Sequence, residues 1–366
     1  MNAQNDAEFM RRCIELARRG IGRVEPNPAV GCVIARDGVV IAEGRHQEFG
    51  EAHAEVNALR EAGATADGAT LYVSLEPCST VGKTPPCADA ILKAGIKEVI
   101  FGASDGAQQG EKVLRRAGIF VRGGVLAEEC RQVNPYFFRI PRGVRPFVMA
   151  KWAMTIDGRT RTPAGKSRWI SCEESRNLSN RWRGAVDAIC VGVGTMLTDD
   201  PKLTCRAGLR SPKRVVLDST ARTPLASQLA RTARETPVII VTTEDAPSDQ
   251  VRALDKAGCA IVCAKPSPAG IDLADALRLL HAKHDINTLM LEGGGRVHTS
   301  AAQAHLIDET RIFIAPIAGD DPAVLPEAWA MDAITTMMQS TDTIYHRSGS
   351  DMLLIRRSSD ITGRDR

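Results

Sequence analysis

Short β-branched runs alternate with stretches of helical periodicity along nearly the whole chain, and the alternation breaks at NPYFFRIPRGVRP, between Asn134 and Pro146. Strands that alternate with helices tend to pair in parallel and to bury both faces of their sheet, so each side of the break is expected to form an α/β layer. The break mixes aromatics, prolines and arginines without a period, which puts a domain boundary near residue 145, giving domains 1–145 and 146–366. A length of 366 residues agrees, at roughly 100–200 residues per domain.

On the first side, DAEFMRRCIELARRG gathers Phe9, Cys13, Leu16 and Ala17 on one helix face, with Gly20 as a stop. VGCVIARDGVVIAEG reads as two strands joined at Arg36-Asp37-Gly38, whose Asp-Gly pair suits a tight hairpin. Helix is then expected over 53–62, strand over 69–74, helix over 87–94, strand over 98–101, helix over 111–117 and strand over 119–121. On the second side, FVMAKWAMT, AVDAICVGVG, RVVLD, PVIIVTT, AIVCA, TLMLEGGG and ETRIFIAP are strand-like runs, and from Arg356 the chain reads as a polar, charged tail.

Composition removes whole classes of function. With 43% hydrophobic and 25% charged residues the chain is neither disordered nor fibrous. Forty-seven Lys plus Arg against 44 Asp plus Glu leave +3, too weak a field for a dedicated nucleic-acid or anionic-membrane binder. No run of about 18 apolar residues is present to cross a membrane. The start is polar and acidic, unlike a secretory signal, so a cytoplasmic protein is expected. There the 10 cysteines serve packing or metal binding rather than a disulfide framework.

One group of residues carries chemistry on its own. His53-Ala54-Glu55 opens the second expected helix, and PCSTVGKTPPC follows with Cys78 and Cys87. One imidazole and two thiolates are the donor set that holds tetrahedral zinc with a fourth position open, and an open position means catalysis. Structural zinc sites close with four ligands, which argues against a purely structural metal. Glu55 lies two residues after His53, placed to shuttle protons to and from a water in the open position. Singly, each residue has a plainer reading, as an acidic helix start or an ordinary loop thiol. Jointly, His-x-Glu, Pro-Cys and a second Cys near a helix start form the pattern of zinc nucleobase deaminases, here with a longer gap between the cysteines.

The second side lacks the G-x-G-x-x-G turn of a Rossmann site. VGVGTMLTDDP and EGGGRVHTS instead put glycines where strands give way to helices, which lets backbone N–H groups and a helix dipole approach a pyrophosphate; a tight turn is the alternative for either. Cys259 and Cys263 alternate on a strand-like run, Trp152 and Trp182 read as core or interface, and His281 with His284 reads as an ordinary helix pair rather than a metal site.

In order along the chain, PNPAVGCVI, GEAHAEVNAL, SLEPCSTVGKTPPCADAI, AMTIDGRT and DDPKLTCR closely resemble the bifunctional riboflavin-biosynthesis deaminase/reductase family. The resemblance implies an N-terminal cytidine-deaminase-like α/β/α domain and a C-terminal dihydrofolate-reductase-like α/β domain. It implies hydrolytic deamination of a diamino-hydroxy-phosphoribosylaminopyrimidine, then NADPH reduction of the ribosyl group to ribityl. By this likeness His53, Cys78 and Cys87 hold one Zn2+ per chain, Glu55 is the shuttle, and Asn27, His46 and Lys83 contact substrate. Lys83 has a rationale of its own, since an ammonium among loop amides suits a phosphate.

In the second domain the likeness assigns Ala153, Trp169, Thr195, Asp199, Ser219 and the segment 294–300, with Gly294, Gly295 and Arg296, to NADPH. It assigns Ser167, Arg183, Leu203, Arg206 and Glu292 to substrate, and Arg183 and Arg206 suit a sugar phosphate because guanidinium pairs it bidentately. Lys151, Asp199 and Asp200 are candidates for polarising or protonating the ribose oxygen. The expected partners are the small-molecule substrate and further copies of the chain in a homo-oligomer, with neither nucleic acid nor membrane.

Three places depart from the family pattern. Thr80 stands where the family usually has His, Thr155 where it often has Ser, and GASDGAQQGEKV is shorter than the usual loop and has no proline. These leave room for a paralogue doing the same chemistry on a related pyrimidine for a specialised metabolite. A nucleic-acid base deaminase with a C-terminal binding module is more distant, because 4% aromatics and +3 charge make a poor stacking and phosphate surface.

Overall fold

A computed structural model describes residues 3–21, 23–24, 27–80, 85–106, 108–139, 144–160, 169–206, 208–318, 332, 335 and 343–357. It divides into two units, Met1–Phe138 and Arg139–Arg366.

The first unit opens with helix α1 (Ala3–Arg18), followed by a hairpin of β1 (Gly31–Arg36) and β2 (Val39–Arg45). Asp37 and Gly38 take φ of 52° and 80°, the two positive values that a two-residue type I′ turn demands. Then come α2 (Ala54–Ala62), a short 3-10 turn, β3 (Thr70–Leu75), α3 (Cys87–Lys93), β4 (Glu98–Ala103), α4 (Gly110–Arg116) and β5 (Phe120–Arg122). The sheet runs β2-β1-β3-β4-β5, with β1 antiparallel to both neighbours and β3, β4 and β5 parallel. Every residue of β3 is buried, as a central strand requires. The inner face of α1 supplies Phe9, Met10 and Cys13 to the core, where the Phe9 ring lies 5.0 Å from that of Tyr72.

The close approach of α2 to β2 matters most for the site. At Gly44 a Cβ would lie 2.2 Å from the Ala54 carbonyl oxygen and 2.4 Å from the Ala58 nitrogen, so glycine is what lets the helix sit on the strand.

The stretch read as aperiodic holds one short helix, α6 (Pro135–Arg139), and another, α5 (Ala127–Val133), ends just ahead of it. They are fixed from a distance: the Asn134 amide between them accepts from the Ala29 N–H and donates to the Ala29 carbonyl, both at 2.8 Å.

The second unit begins with β6 (Phe147–Thr155), α7 (Glu173–Ala185), β7 (Ala188–Gly192), α8 (Val193–Asp199), β8 (Lys213–Leu217), α9 (Gln228–Arg231) and β9 (Val238–Thr242). It continues with α10 (Ser248–Ala257), β10 (Ala260–Cys263), a two-stranded ribbon of β11 (Pro266–Ser267) and β12 (Gly270–Ile271), α11 (Leu273–His284) and β13 (Thr288–Leu291). α12 (Gly295–Gln303), β14 (Glu309–Ala315), β15 (Ile344–Ser348) and β16 (Asp351–Arg357) complete the described elements. Nine strands form one sheet in the order β10-β9-β8-β7-β13-β6-β14-β16-β15. It is parallel from β10 to β14, and β16 and β15 close one edge antiparallel.

Arg356 and Arg357, read above as the start of a tail, end strand β16 instead. A buried carboxylate draws the strand in, for Glu309 accepts from Arg357 Nε at 2.9 Å and from Arg311 Nε at 2.6 Å.

Candidate metal centre and reductase cavity

His53 stands just ahead of α2 in an extended conformation, as its N-cap residue, and Cys87 opens α3. Cys78 lies in the segment after β3. The three donor atoms fall within 4.8 Å of one another, and no other such cluster of His, Cys, Asp or Glu is found among the described residues. His53 Nδ1 lies 3.3 Å from Cys87 Sγ and 3.6 Å from Cys78 Sγ. The Cys87 N–H donates to Cys78 Sγ at 3.2 Å. Donation from Cys87, and then from His53, holds the Cys78 thiol well below its usual range, toward the thiolate form that a metal needs. One imidazole and two converging sulfurs fit zinc on donor chemistry and spacing alone.

Glu55 lies in the first turn of α2 and is 4% exposed. Burial, then the neighbouring Cys78 charge, push its carboxyl up to about 7. His46 is 2% exposed, and its ring meets that of His53 edge-on at 5.3 Å. Nδ1 faces the Ala52 carbonyl at 3.0 Å and must donate to it, so Nε2 accepts from the Asn27 amide at 3.2 Å. Burial holds His46 below its usual range, which keeps the ring neutral and this tautomer in place. His46 therefore orients the Asn27 side chain, while the Asn27 backbone carbonyl accepts from the Tyr136 hydroxyl at 3.0 Å. Lys83 lies outside the described residues.

In the second unit, one cavity of about 1160 Å³ is lined by Lys151, Ala153, Trp169, Arg183, Thr195, Asp199, Asp200, Leu203, Arg206, Ser219, Glu292, Gly294, Gly295 and Arg296. Every described candidate of that unit is thus gathered in one place; Ser167 lies outside the described residues. The two glycine clusters meet at the ends of the adjacent strands β7 and β13. A Cβ at Gly293 would come within 3.1 Å of Thr195, and Gly294 has a φ of +83° that leads into α12. Backbone amides at such a junction fit a dinucleotide's pyrophosphate.

Beyond that junction lies a buried charge cluster. Arg183 grips Glu292 with two bonds, Nε to Oε1 at 2.9 Å and Nη2 to Oε2 at 2.5 Å, and its Nη1 donates to the Thr204 carbonyl at 3.2 Å. Burial pushes the Glu292 carboxyl up, but Arg183 and Lys151 outweigh it and hold the group ionised below its usual range. Burial pulls the Lys151 ammonium down, and its Nζ stands 5.8 Å over the Phe313 ring.

Asp200 belongs to the cavity wall, and its side chain also braces α9: its Oδ1 accepts the Gln228 N–H at 2.8 Å and its φ is 38°. Two further side chains join the site, His298 from within the segment 294–300 and Asn180, which the sequence did not single out. His298 is buried against Trp152, with ring centroids 5.3 Å apart, and burial, then Lys151, hold it down at about 4. Asn180 accepts the Arg206 N–H at 2.5 Å. Their signal was positional, since His298 follows the glycine cluster within a helical turn and Asn180 precedes Arg183 by one.

Residues 3–103 match the cytidine and deoxycytidylate deaminase zinc-binding region, and residues 146–340 match the RibD C-terminal domain. The riboflavin biosynthesis protein RibD of Actinobacillus pleuropneumoniae is 39% identical over 360 residues, covering 95% of this chain and 94% of that one. Its Escherichia coli counterpart is 37% identical over 338 residues, covering 86% and 89%. Among solved structures, Acinetobacter baumannii RibD superposes with a TM-score of 0.80 at 32% identity, over 97% of this chain and 99% of that one. A Thermotoga maritima diaminohydroxyphosphoribosylaminopyrimidine deaminase/5-amino-6-(5-phosphoribosylamino)uracil reductase gives 0.78 at 32% identity, with the same coverage. With a converging His-Cys-Cys centre in one unit and a glycine-rimmed cavity in the other, the chain belongs to the RibD family of riboflavin-biosynthesis enzymes, zinc-binding deaminase and reductase in one polypeptide.

Proposed function

We propose that domain 1–145 deaminates a diamino-hydroxy-phosphoribosylaminopyrimidine and that domain 146–366 reduces the resulting ribosyl compound to the ribityl compound with NADPH. The observation that carries this is the union of His53, Cys78 and Cys87 with a buried Glu55 beside them, in a chain that matches RibD proteins nearly end to end. When bound, zinc supplies the charge that makes a water nucleophilic near neutral pH. Glu55 takes the proton from that water and returns it to the departing amino nitrogen. Asn27, held by His46 and Tyr136, orients the pyrimidine, and Lys83 pairs with its phosphate.

In the reductase, NADPH when bound would supply the hydride that reduces the ribose carbon. Ala153, Trp169, Thr195, Asp199, Ser219, Gly294, Gly295 and Arg296 hold the cofactor, and Arg183, Leu203, Arg206, Glu292 and Ser167 hold the substrate. Lys151, desolvated and beside Glu292, delivers a proton to the sugar oxygen. Ten cysteines present as free thiols suit a cytoplasmic protein. No helix among the described residues is long and apolar enough to cross a membrane. By family likeness the enzyme is a homo-oligomer.

Feeding each half separately tests the assignment. Glu55→Gln keeps zinc and loses about 10²-fold in ammonia release, yet oxidises NADPH normally when given the deaminated compound. Lys151→Ala does the reverse, and the deaminated ribosyl compound accumulates. Loss of both activities in Glu55→Gln would replace the two-site reading with one shared site. A zinc-loaded wild type that leaves this pyrimidine untouched would point to a related pyrimidine as substrate.

A further inference from the structure

Ser79 and Thr80 directly follow the metal ligand Cys78, and a single side chain from another loop holds them both. Gln108 Oε1 accepts from the Ser79 N–H at 3.0 Å, from the Ser79 hydroxyl at 3.4 Å and from the Thr80 hydroxyl at 3.2 Å. The Gln109 N–H donates back to Ser79 Oγ at 3.0 Å. A backbone N–H can only donate, so the oxygen of the Gln108 amide faces the segment, and the side chain acts there purely as an acceptor.

The segment is otherwise held by bonds at Glu76 and Cys78. β3 ends at Leu75 and α3 starts at Cys87, so Cys78 lies between elements with no strand ladder of its own. Its carbonyl accepts the Ala88 N–H at 3.1 Å. Glu76, just ahead of it, accepts the N–H groups of Asp105 at 3.1 Å and Glu111 at 3.2 Å, which ties the same two loops together from the other side. Thr80 and the short loop after β4 are two of the places where the sequence departs from its family's pattern, and in the structure they are bonded to each other.

We propose that Gln108 is a positioning residue of the metal centre: by accepting from Ser79 and Thr80 it fixes the segment that carries Cys78. The short loop and the threonine then form one unit, in which the loop delivers the acceptor and the hydroxyl answers it. The proposal rests on the zinc reading of His53, Cys78 and Cys87 given above.

The test uses the full-length zinc protein, with zinc release to a chromogenic chelator and ammonia release as readouts. Gln108→Ala releases zinc about 10-fold faster and raises KM more than it lowers kcat, in line with the usual effect of removing a group that orients a ligand. Gln108→Glu keeps an acceptor for all three donors and restores wild-type zinc retention and KM, a rescue that mere filling of space would not give. Thr80→Val removes one donor without shortening the side chain and shows a smaller loss, about 2- to 5-fold, which keeps the idea testable if Gln108→Ala does not fold. Equal zinc release by wild type and Gln108→Ala, or a Gln108→Glu as defective as Gln108→Ala, overturns the strap alone. A wild type without stoichiometric zinc overturns the metal reading and the strap with it.

Discussion

One methyl group at position 44 reports how tightly the metal-bearing helix is seated. In Gly44→Ala the new carbon would stand 2.2 Å from the Ala54 carbonyl oxygen, 2.4 Å from the Ala58 nitrogen and 2.9 Å from the Ala58 Cβ. Two of these are backbone atoms of α2, with no flexible side-chain end to swing aside. Carbon and oxygen in contact settle near about 3.3 Å, so α2 must retreat by about 1 Å. His53 is the N-cap residue of that helix and Glu55 lies in its first turn, so the retreat carries one metal ligand and the proton shuttle away from Cys78 and Cys87. Overpacking of this kind costs about 1–3 kcal/mol, and a 1 Å misplacement lowers a rate by about 10²-fold. Gly44→Ala should therefore unfold at lower urea and release ammonia about 10²-fold more slowly, while NADPH oxidation with supplied deaminated compound stays normal. Gly106→Ala is the control, because a Cβ there meets nothing within 4 Å. Wild-type zinc content and ammonia release in Gly44→Ala would refute the argument that α2 is locked onto β2.

Glu309 gives a pH test of the second unit. Burial pushes its carboxyl up, but Arg311 and Arg357 outweigh that and hold it below its ordinary value, so its stabilisation is present above the unfolded value of about 4.3 and fades as pH falls through the lower folded value. The stability gap between wild type and Glu309→Gln, about 3 kcal/mol, should be flat from about pH 5 to 8 and shrink below about pH 4 in urea titrations; a gap that widens in acid would reverse the sign. Glu292→Gln removes the anion that supports the Lys151 proton, so the pH–rate limb set by Lys151 should move to lower pH and kcat/KM for the reductase should fall, by about 10²-fold. An unshifted profile would detach Lys151 from the proton transfer.

The metal centre was legible because zinc chemistry fixes the residue types and because each ligand stands at a helix start or beside a Pro-Cys pair that local sequence marks. The hairpin was legible because Asp37-Gly38 supplies the two backbone conformations that its turn needs. What escaped depends on partners far along the chain. α5 and α6 rest on the bond between Asn134 and Ala29, which no local period announces. In β15 the residues from Ile344 to Arg347 are all exposed, so no apolar alternation marks it as a strand, and β16 is held to the sheet partly by the buried Glu309. That Asp200 also braces the Gln228 N–H could not be read locally, because Gln228 arrives through a loop. Nor does any local signal pair Arg183 with Glu292, since only the fold brings the two together.

The order of strands in the larger sheet dictates a schedule for the ribosome. All five strands of the first sheet are available once Arg122 has emerged, so that unit can close early. β6 opens the second unit, yet its two sheet neighbours are β13 and β14, which end at Leu291 and Ala315. At about 5–20 residues per second, FVMAKWAMT waits on the order of ten seconds or more with both edges unpaired, while β7, β8, β9 and β10 are still being made. A nascent chain stalled before Thr288 therefore carries a folded metal-binding unit beside an unsealed apolar strand, the kind of species that chaperones capture and that aggregates when they are scarce.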